Sequence, residues 1–462
     1  MTYVNKNKIL LILIVTSIII LLFLFFINYR DNAKLNLIVI CIDTLRADHL
    51  SCYGYNRKIS PNIDKLARSG IKFNQAYSQA PWTLPSISSI LTSLYPSVHG
   101  AYGVYRKLSP NVITLAEILK ENGFSTSGVV SHIFLDPKYG LNQGFDDYYA
   151  VSKRSKETVT SDKVTELALK WLSKNHKNRF FLFLHYFDPH YDYIEHDEFK
   201  YISDYNGRIK SGMDIWEIRK MLNELTGNDI EYLKALYDGE IAYTDKFIGI
   251  LLDSLKKYEI TDKTVIVLVA DHGEQFMDHG WIGHTKALYN ELINVPLIIK
   301  VPNFGGNKIV STPVELVDIV PTVLKLLNVK YDSAKFQGDS LMPLIEGRIK
   351  DYRKNRIFSD VRFEDHEDRK YDTEFAFKRS VISESKKFIY DYKNGSSELY
   401  DLKDDPKEKR NIINIKPEDG THLKTLIEKI VKENTHFSEK GNFSQVLTED
   451  EKEKLKSLGY IK

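Results

Sequence analysis

Residues 265–274 read VIVLVADHGE, a continuous apolar run that ends in polar residues of functional type. A short, wholly apolar run rich in Val, Ile, Leu and Phe predicts a buried strand of a parallel sheet. The same pattern occurs twice more, where residues 37–43 read LIVICID and residues 180–190 read FFLFLHYFDPH. In an open parallel sheet, ligands bind outside the carboxyl ends of the strands, so these polar groups are expected to converge. The sequence therefore predicts an α/β fold with one functional site.

The rest of the chain alternates short apolar runs with amphipathic stretches. This pattern is typical of a mostly parallel central sheet with helices on both faces. The strands predicted most clearly are 35–42, 180–185, 265–270 and 297–301, and the predicted helices are 63–69, 86–94, 112–122, 158–174 and 229–257.

Beyond the last of these segments the sequence changes to alternating polar and apolar residues. Segments 380–385 and 387–392, followed by Asn394-Gly395, predict a small antiparallel sheet with a hairpin turn. The charged stretch 448–456 predicts a solvated amphipathic helix and not a binding surface. We therefore divide the chain into an N-terminal membrane anchor and flank at 1–34, a catalytic domain at 35–345 and a C-terminal subdomain at 346–462.

The composition restricts the class of protein. The 462 residues, 43% of them apolar, suffice for one large domain and a smaller one. A formal net charge of +2 gives no global field that would attract nucleic acid, so no nucleic-acid partner is expected. The cysteines are Cys41 and Cys52, which argues against a disulfide framework and a cysteine-rich structural zinc site. A single bridge between the two remains open.

Residues 9–27 are apolar except for Thr16 and Ser17. As a helix this stretch would measure about 28 Å, close to the thickness of a bilayer core. A cleaved signal peptide is the alternative, but its apolar core would be unusually long and no small-x-small cleavage site follows. Basic residues on both flanks give no clear orientation. We predict an uncleaved single-pass anchor in the lipid bilayer, with the catalytic domain outside the cytoplasm.

Two of the strand-end clusters carry residues that suit a cation. Asp43, Asp271 and His272 offer two carboxylates and one imidazole, a plausible ligand set for a divalent metal ion. A single Asp in such a place is more often a helix cap or turn residue, but three clusters together favour a site. Glu274 either caps the next helix or orients a ligand.

Residues 80–92 read APWTLPSISSILT, a loop that enters a helix. Pro85 suits the first turn, and an apolar helical period follows. Thr83 is therefore predicted to lie at a helix N-terminus, where free N–H groups and the helix dipole favour a bound anion and an alkoxide nucleophile. Taken alone, Thr83 would be an ordinary N-cap.

Taken in order, these motifs resemble the sulfatase family of the alkaline-phosphatase superfamily. The resemblance runs from about Asn36 to the last residues and implies an alkaline-phosphatase-like α/β sandwich. It rests on IDTLRAD at 42–48, the Thr83 segment ending in LTSLYP at 91–96, DPH at 188–190, DHGE at 271–274, GH at 283–284, NVPL at 294–297, ELYDL at 398–402 and LGY at 458–460.

Carried over position by position, the resemblance implies a metal site and a set of residues that handle the substrate. Thr83 would be the nucleophile as well as a metal ligand, and one histidine would protonate the leaving group. Lys286 enters as a substitute for a family lysine, whose place two residues before His132 is taken by Val130. The implied metal ligands are Asp43, Thr83, Asp271 and His272, the implied catalytic histidines are His190 and His284, and the implied substrate contacts are His132 and Lys286.

The sequence departs from the family at residues that decide its chemistry. Family sulfatases carry a formylglycine made from Cys or Ser in a Cys/Ser-x-Pro-Ser-Arg motif, whereas residues 83–87 here read TLPSI. No formylglycine is expected, because threonine is not its precursor and Ile87 replaces the supporting arginine. Thr44 and His272 stand where family calcium sites commonly have Asp and Asn. A less anionic site with a nitrogen ligand favours one manganese or zinc ion, with calcium as the alternative.

The nucleophile also bears on which ester is cleaved. A hydrated aldehyde expels sulfate by breaking a C–O bond, but a threonyl sulfate has no second hydroxyl to drive that step. A threonyl phosphate can be attacked at phosphorus by water or an alcohol, and phosphoryl-transferring branches of the superfamily resemble this chain in their threonine and metal set. We predict a metal-dependent hydrolase or transferase of anionic esters, with phosphate favoured. The alternatives are a sulfuric ester hydrolase without formylglycine and a non-catalytic surface binding protein.

Overall fold

The computed structural model describes residues 13–17, 35–151, 160–349, 356–363, 376–434 and 443–461. Their strands form a large sheet, a smaller sheet and a two-stranded ribbon. We number the strands β1 (Asn36–Ile42), β2 (Ile71–Tyr77), β3 (Ser125–Val130), β4 (Asp147–Ala150), β5 (Phe180–Tyr186), β6 (Thr264–Ala270), β7 (Gln275–Phe276), β8 (Ile282–Gly283), β9 (Asn294–Lys300), β10 (Lys308–Val310), β11 (Val314–Glu315), β12 (Arg356–Phe363), β13 (Ala376–Ser383), β14 (Lys386–Asp391) and β15 (Ser397–Asp401).

Helices of very different length lie between these strands and after the last of them. We number those from residue 35 onward α1 (Pro61–Ser69), α2 (Thr83–Thr92), α3 (Pro96–His99), α4 (Leu115–Glu121), α5 (Ser161–Asn175), α6 (Ile215–Lys220), α7 (Gly227–Lys257), α8 (Asn290–Ile293), α9 (Ile319–Leu326), α10 (Met342–Ile345), α11 (Pro417–Asn434) and α12 (Glu449–Ser457). The long helix α7 packs against α1 and α5.

The large sheet is mostly parallel, which confirms the predicted fold class. Its strands lie in the order β10-β2-β9-β6-β1-β5-β3-β4, and β11 also pairs with β2. Among its described strands, only β9 runs antiparallel to its neighbours, β2 and β6. The central strand β1 is buried along its whole length and pairs in parallel with β6 and β5. A strand covered on both faces needs apolar residues throughout, which explains the run from Leu37 to Ile42.

The smaller sheet confirms the antiparallel unit predicted from the alternating segments. Strands β12 to β15 pair antiparallel in chain order. The turn between β14 and β15 contains Gly395 at φ +73°, a left-handed conformation that glycine adopts without steric cost. Helix α11 packs on this sheet through a buried cluster that includes Phe388, Leu399 and Leu423. The boundary at 345 stays a prediction.

Five described strands of the large sheet were not predicted, namely β2, β3, β4, β10 and β11. Strand β2 reads IKFNQAY and β3 reads STSGVV, and their polar and small residues hide the apolar character of a strand. Two other predictions have clear outcomes. The stretch 448–456 is helical, as α12, and Leu455 is its buried residue. Cys41 and Cys52 are both free, so the bridge left open between them does not form.

The membrane anchor predicted at 9–27 lies outside the described residues, apart from 13–17. Within the described parts of the chain, no helix has the length and apolar character needed to cross a bilayer. The anchor, its bilayer contact and the position of the catalytic domain relative to the membrane stay predictions.

Candidate active site

Polar side chains follow four neighbouring parallel strands where those strands end. Asp271 and His272 follow β6, and Asp43 follows β1. His190 comes four residues after β5, and His132 comes two residues after β3. All five residues are at most 3% exposed. The structure therefore brings together groups that the sequence places on separate strands, while their chemical roles stay predictions.

Asp43 and Asp271 are buried carboxylates with unsatisfied oxygen atoms. Both carboxylate oxygens of Asp43, and Oδ2 of Asp271, have no hydrogen-bond partner among the described residues. Burial raises the pKa of both carboxyl groups well above the ordinary value. The negative charge of Glu274 raises the pKa of Asp43 further, and the charge of Asp43 does the same for Asp271. Adjacent buried carboxylates stay ionised when a cation offsets their charge. The arrangement suits a bound cation, and the roles of Asp43 and Asp271 as metal ligands stay predictions.

His272 and Thr83 lie at the right distances to share that cation. Nδ1 of His272 donates to the carbonyl of Gly273 at 3.0 Å, so the lone pair of Nε2 faces the site. Nε2 lies 3.4 Å from Thr83 Oγ1. It also lies 3.5 Å from Asp43 Oδ1 and 3.4 Å from Asp271 Oδ2. Ligands bound tetrahedrally at about 2.1 Å from one ion are about 3.4 Å apart, so the distances from His272 to the other three predicted ligands suit a divalent ion.

A histidine that no sequence pattern indicated lies beside the carboxylates. His185 lies in β5, and its Nε2 is 3.4 Å from Asp43 Oδ2. Neither ring nitrogen has a hydrogen-bond partner among the described residues. Ligand atoms of Asp43, His185 and Asp271 lie within 4.8 Å of one another, as do those of Asp43, His132 and His190. His185 is therefore a candidate contributor to the cation site.

Replacing His185 with asparagine should weaken divalent-metal binding about 10- to 100-fold, because the ring is lost as a ligand or as a group that orients Asp43. Titration calorimetry of Mn²⁺ and Zn²⁺ into metal-free protein measures the change. His99→Asn is the matched control, since His99 is also buried but its Nε2 lies 3.2 Å from the carbonyl of Pro85. An unchanged dissociation constant in the His185 variant would show that this ring does not contribute.

Thr83 is the first residue of α2, at the helix N-terminus that the loop-to-helix pattern predicts. Ser86 Oγ donates to the carbonyl of Asp271 at 2.6 Å and lies 2.9 Å from Ser78 Oγ. These bonds tie the first turn of α2 to the end of β6. Ile87 is fully buried in the apolar core. The free N–H groups and the helix dipole favour an anion and an ionised oxygen at Thr83.

A tyrosine to which the sequence analysis gave no role lies at the centre of the site. The hydroxyl of Tyr460 is 3.0 Å from His284 Nε2, 3.3 Å from His190 Nε2 and 3.5 Å from His132 Nε2. It is also 3.4 Å from Thr83 Oγ1. The three histidines predicted to handle the substrate therefore face one point, next to the predicted nucleophile.

Hydrogen bonds at Nδ1 of His132 and of His284 determine whether the Nε2 of each ring faces that point as a donor or as an acceptor. The backbone N–H of Phe134 donates to Nδ1 of His132 at 3.0 Å, so the neutral ring carries its proton on Nε2. Nδ1 of His284 lies 3.1 Å from Oε1 of Glu274. Oε2 of Glu274 accepts from Tyr193 Oη at 3.1 Å. His132 is a donor toward the centre.

Burial and the positive charge of Arg219 lower the pKa of His284 well below its ordinary value, and burial raises the pKa of Glu274 to about 8. At neutral pH Glu274 therefore holds the proton that it shares with Nδ1, and the neutral ring presents its Nε2–H to the centre.

Two further residues lie outside this centre. Asp188, from the DPH segment, accepts from the backbone N–H groups of Thr160 and Ser161 and so caps the start of α5. The ammonium of Lys286 lies 5.9 Å from the centroid of the Trp281 ring. The role of Lys286 as a substrate contact stays a prediction.

Comparison with known proteins identifies the family. A family model described as Sulfatase matches residues 35–329, more than half of the chain. The chain belongs to the sulfatase family. A second model, described as N-sulphoglucosamine sulphohydrolase, C-terminal, matches residues 277–436. The resemblance found in the sequence is confirmed, and the protein is a sulfatase-family ester hydrolase.

The names of the relatives and structural neighbours of this sulfatase-family chain refer to more than one kind of ester. An N-acetylglucosamine-6-O-sulfatase of Bacteroides thetaiotaomicron is 26% identical over 479 aligned positions, covering 83% of this chain and 83% of the relative. A structure in complex with D-glucosamine-2-N,6-O-disulfate has a TM-score of 0.70 at 21% identity and covers 87% of this chain and 98% of its own. A phosphonate monoester hydrolase of Agrobacterium radiobacter has a TM-score of 0.69 at 18% identity, covering 90% and 100%. These structures confirm the fold.

Proposed function

We propose that this protein cleaves phosphate esters through a covalent intermediate on Thr83. The observation that carries the proposal is the place of Thr83, which starts α2 and has its Oγ1 3.4 Å from His272 Nε2, beside two unsatisfied carboxylates. A threonine cannot become formylglycine, and a threonyl sulfate lacks the second hydroxyl that expels sulfate from a hydrated aldehyde. A threonyl phosphate is open to attack at phosphorus. Among structural neighbours, a phosphonate monoester hydrolase supports chemistry at phosphorus.

The residues that would hold a divalent ion are Asp43, Asp271, His272 and Thr83, with His185 beside them. Bound there, the ion supplies positive charge that lowers the pKa of the Thr83 hydroxyl and offsets charge on the ester oxygens. Imidazole nitrogens beside two carboxylates favour manganese or zinc over calcium.

In the first step, Thr83 displaces the alcohol of the ester. Its oxygen, having lost its proton to water, attacks phosphorus in line with the leaving oxygen, and the bond from phosphorus to that oxygen breaks. His284 donates its Nε2 proton to the leaving oxygen and takes the proton of Glu274 at Nδ1, so the ring stays neutral. The Nε2–H of His132 donates to an oxygen on phosphorus. The products are a threonyl phosphate and the free alcohol.

The second step releases the phosphoryl group. Nε2 of His284, which now carries no proton, accepts a proton from a water molecule as the water oxygen attacks phosphorus. The bond from phosphorus to Thr83 Oγ breaks, phosphate leaves, and the Nδ1 proton returns to Glu274, which restores the starting state of the pair. An alcohol in place of water would give transfer instead of hydrolysis.

Three esters with one leaving group separate phosphate from sulfate chemistry. In 4-nitrophenyl phosphate, bis(4-nitrophenyl) phosphate and 4-nitrophenyl sulfate, the group transferred differs and the leaving phenol does not. We expect turnover of a phosphate ester, together with a phosphoryl adduct located on Thr83 by intact mass and peptide mapping. Turnover of the sulfate ester alone would defeat the phosphate proposal and favour a sulfuric ester hydrolase that works without formylglycine.

Replacing His284 with alanine should slow esters of weakly acidic alcohols far more than esters of acidic phenols. A proton donor matters most when the leaving oxygen is basic, so we expect kcat/KM to fall about 10²- to 10⁴-fold for phenyl phosphate but only about tenfold for 4-nitrophenyl phosphate. His190→Ala is the comparison, because His190 is the other histidine implied to be catalytic. It should lower both values by the same factor if His284 supplies the proton, as in the mechanism above, and His190 only holds an ester oxygen. The opposite pattern would assign the proton to His190.

A further inference from the structure

Residues 443–461, which we call the strap, end at the centre of the active site. Ser444 forms an isolated β-bridge with Arg106, α12 follows, and Tyr460 comes three residues after α12. Tyr460 is 1% exposed. Its ring packs edge-to-face on Phe134, with the ring centroids 4.7 Å apart. The strap thus delivers one side chain into the site.

The hydroxyl of Tyr460 fills a position that an ester oxygen needs. It lies 3.0–3.5 Å from four atoms, and each residue that carries one of them is at most 3% exposed. At these distances a second oxygen cannot enter the same place, because the site is already at van der Waals and hydrogen-bond contact. The four residues are His284, His190, His132 and Thr83.

Hydrogen bonds and buried apolar side chains hold the strap in this position. The side chains that it buries in the main apolar core are Leu447, Leu455, Tyr460 and Ile461. Nε1 of Trp216 donates to the carbonyl of Lys456 at 2.8 Å, and Nη1 of Arg219 donates to the carbonyl of Gly459 at 3.3 Å. Within α12 the buried side chain is Leu455. Water can replace hydrogen bonds of this kind at small net cost. Detachment exposes the buried side chains of the strap, so the seated state predominates, but it separates no paired strands of either sheet.

We propose that Tyr460 is an intramolecular competitor of the substrate: the seated strap closes the site, and the ester enters when the strap detaches and Tyr460 leaves the centre of the three histidines. This inference rests on the proposed function, in which Thr83 and the histidines handle the ester. The apparent affinity for an ester is then its intrinsic affinity reduced by the fraction of molecules with a detached strap. The site therefore favours esters whose anionic group binds the three histidines strongly enough to displace the hydroxyl of Tyr460.

The kinetic test uses the full chain with Tyr460→Phe. The variant keeps the ring and its packing on Phe134 but loses the hydroxyl that the ester must displace. One hydrogen-bonded hydroxyl alters an equilibrium by about 3- to 10-fold, so kcat/KM should rise by about that factor, mainly through a lower KM. Tyr139→Phe is the matched control, because Tyr139 packs on the same Phe134 ring at 5.3 Å, and it should change kcat/KM by less than about twofold. A fall in kcat/KM for Tyr460→Phe would overturn the proposal, since the hydroxyl would then assist the ester.

Hydrogen exchange tests the strap without turnover. The N–H groups of Tyr460 and Ile461 donate to the carbonyl of Leu455 and should be protected while the strap is seated. Saturating inorganic phosphate or sulfate should speed exchange over 449–461, because either anion takes the place of the hydroxyl. Slower or unchanged exchange, with saturation established by calorimetry, would overturn the proposal. The kinetics of Thr83→Val test the proposed function separately from the role of Tyr460. If this variant is inactive while exchange slows, the proposed function stands and only the role of Tyr460 as a competitor is overturned.

Discussion

Replacing Thr83 with valine should lower kcat/KM by at least about 10⁴-fold for whichever ester the wild-type protein cleaves. Valine has nearly the shape of threonine, so a fully buried position loses an oxygen and little else. Without that oxygen no covalent intermediate can form, and direct attack by water on the bound ester is all that remains. Steady-state kinetics measures the loss, and intact mass after incubation with ester should show no adduct.

Thr83→Ser is the matched control, because it keeps the hydroxyl and removes only a methyl group. We expect it to stay within about tenfold of wild type in kcat/KM, with both variants folded by circular dichroism. Wild-type turnover by the valine variant would exclude Thr83 as the nucleophile. If wild-type protein in addition bound no divalent metal, the non-catalytic binding protein would be the better interpretation.

Asp271→Asn should abolish the thermal stabilisation that manganese or zinc gives to the protein. A ligand at 100 times its dissociation constant stabilises the folded state by about 2.7 kcal/mol, which raises the melting temperature by a few degrees. Loss of one of two carboxylates at the ion should weaken its binding at least about 100-fold, so the rise disappears at the same metal concentration. The metal-free variant should melt slightly above metal-free wild type, because Asp43 no longer faces a second buried carboxylate.

Differential scanning calorimetry after chelation, with and without added metal, measures both effects. Asp360→Asn is the control, since Asp360 is buried in β12 and its pKa is raised to about 6 by burial, but its nearest cation is Arg379 of the smaller sheet. This variant should keep the full metal-induced rise. If Asp271→Asn also kept it, the ion would be bound elsewhere.

Much of the site could be predicted because its residues lie at strand ends and at a helix start, which the local sequence pattern indicates. Asp43 and Asp271 each end a wholly apolar run, and parallel pairing alone then puts them side by side, whatever the order of the other strands. Thr83 was found in the same way, because Pro85 and the apolar period after it indicate where a helix begins. The antiparallel sheet was predicted from the alternation of polar and apolar residues and from the turn signal Asn394-Gly395.

The residues that were missed depend on geometry that no local pattern contains. His185 lies inside an apolar strand, and its approach to Asp43 depends on a register in which it pairs with Cys41. Tyr460 is 377 positions from Thr83, and its place depends on the path of the strap. The function of Glu274 required knowing that His284 returns beside it through β7 and β8.

Burial of Ile87 restricts how the nucleophile could change during evolution. Cysteine at position 83 would restore only the first residue of a formylglycine motif, because the arginine of that motif would have to replace a side chain with no exposed surface. A guanidinium there would lose its water without gaining a partner in the apolar core. A change to formylglycine chemistry would therefore need changes in the packing around position 87 as well as a new residue at position 83. Packing, as well as catalysis, therefore keeps this chain with its threonine.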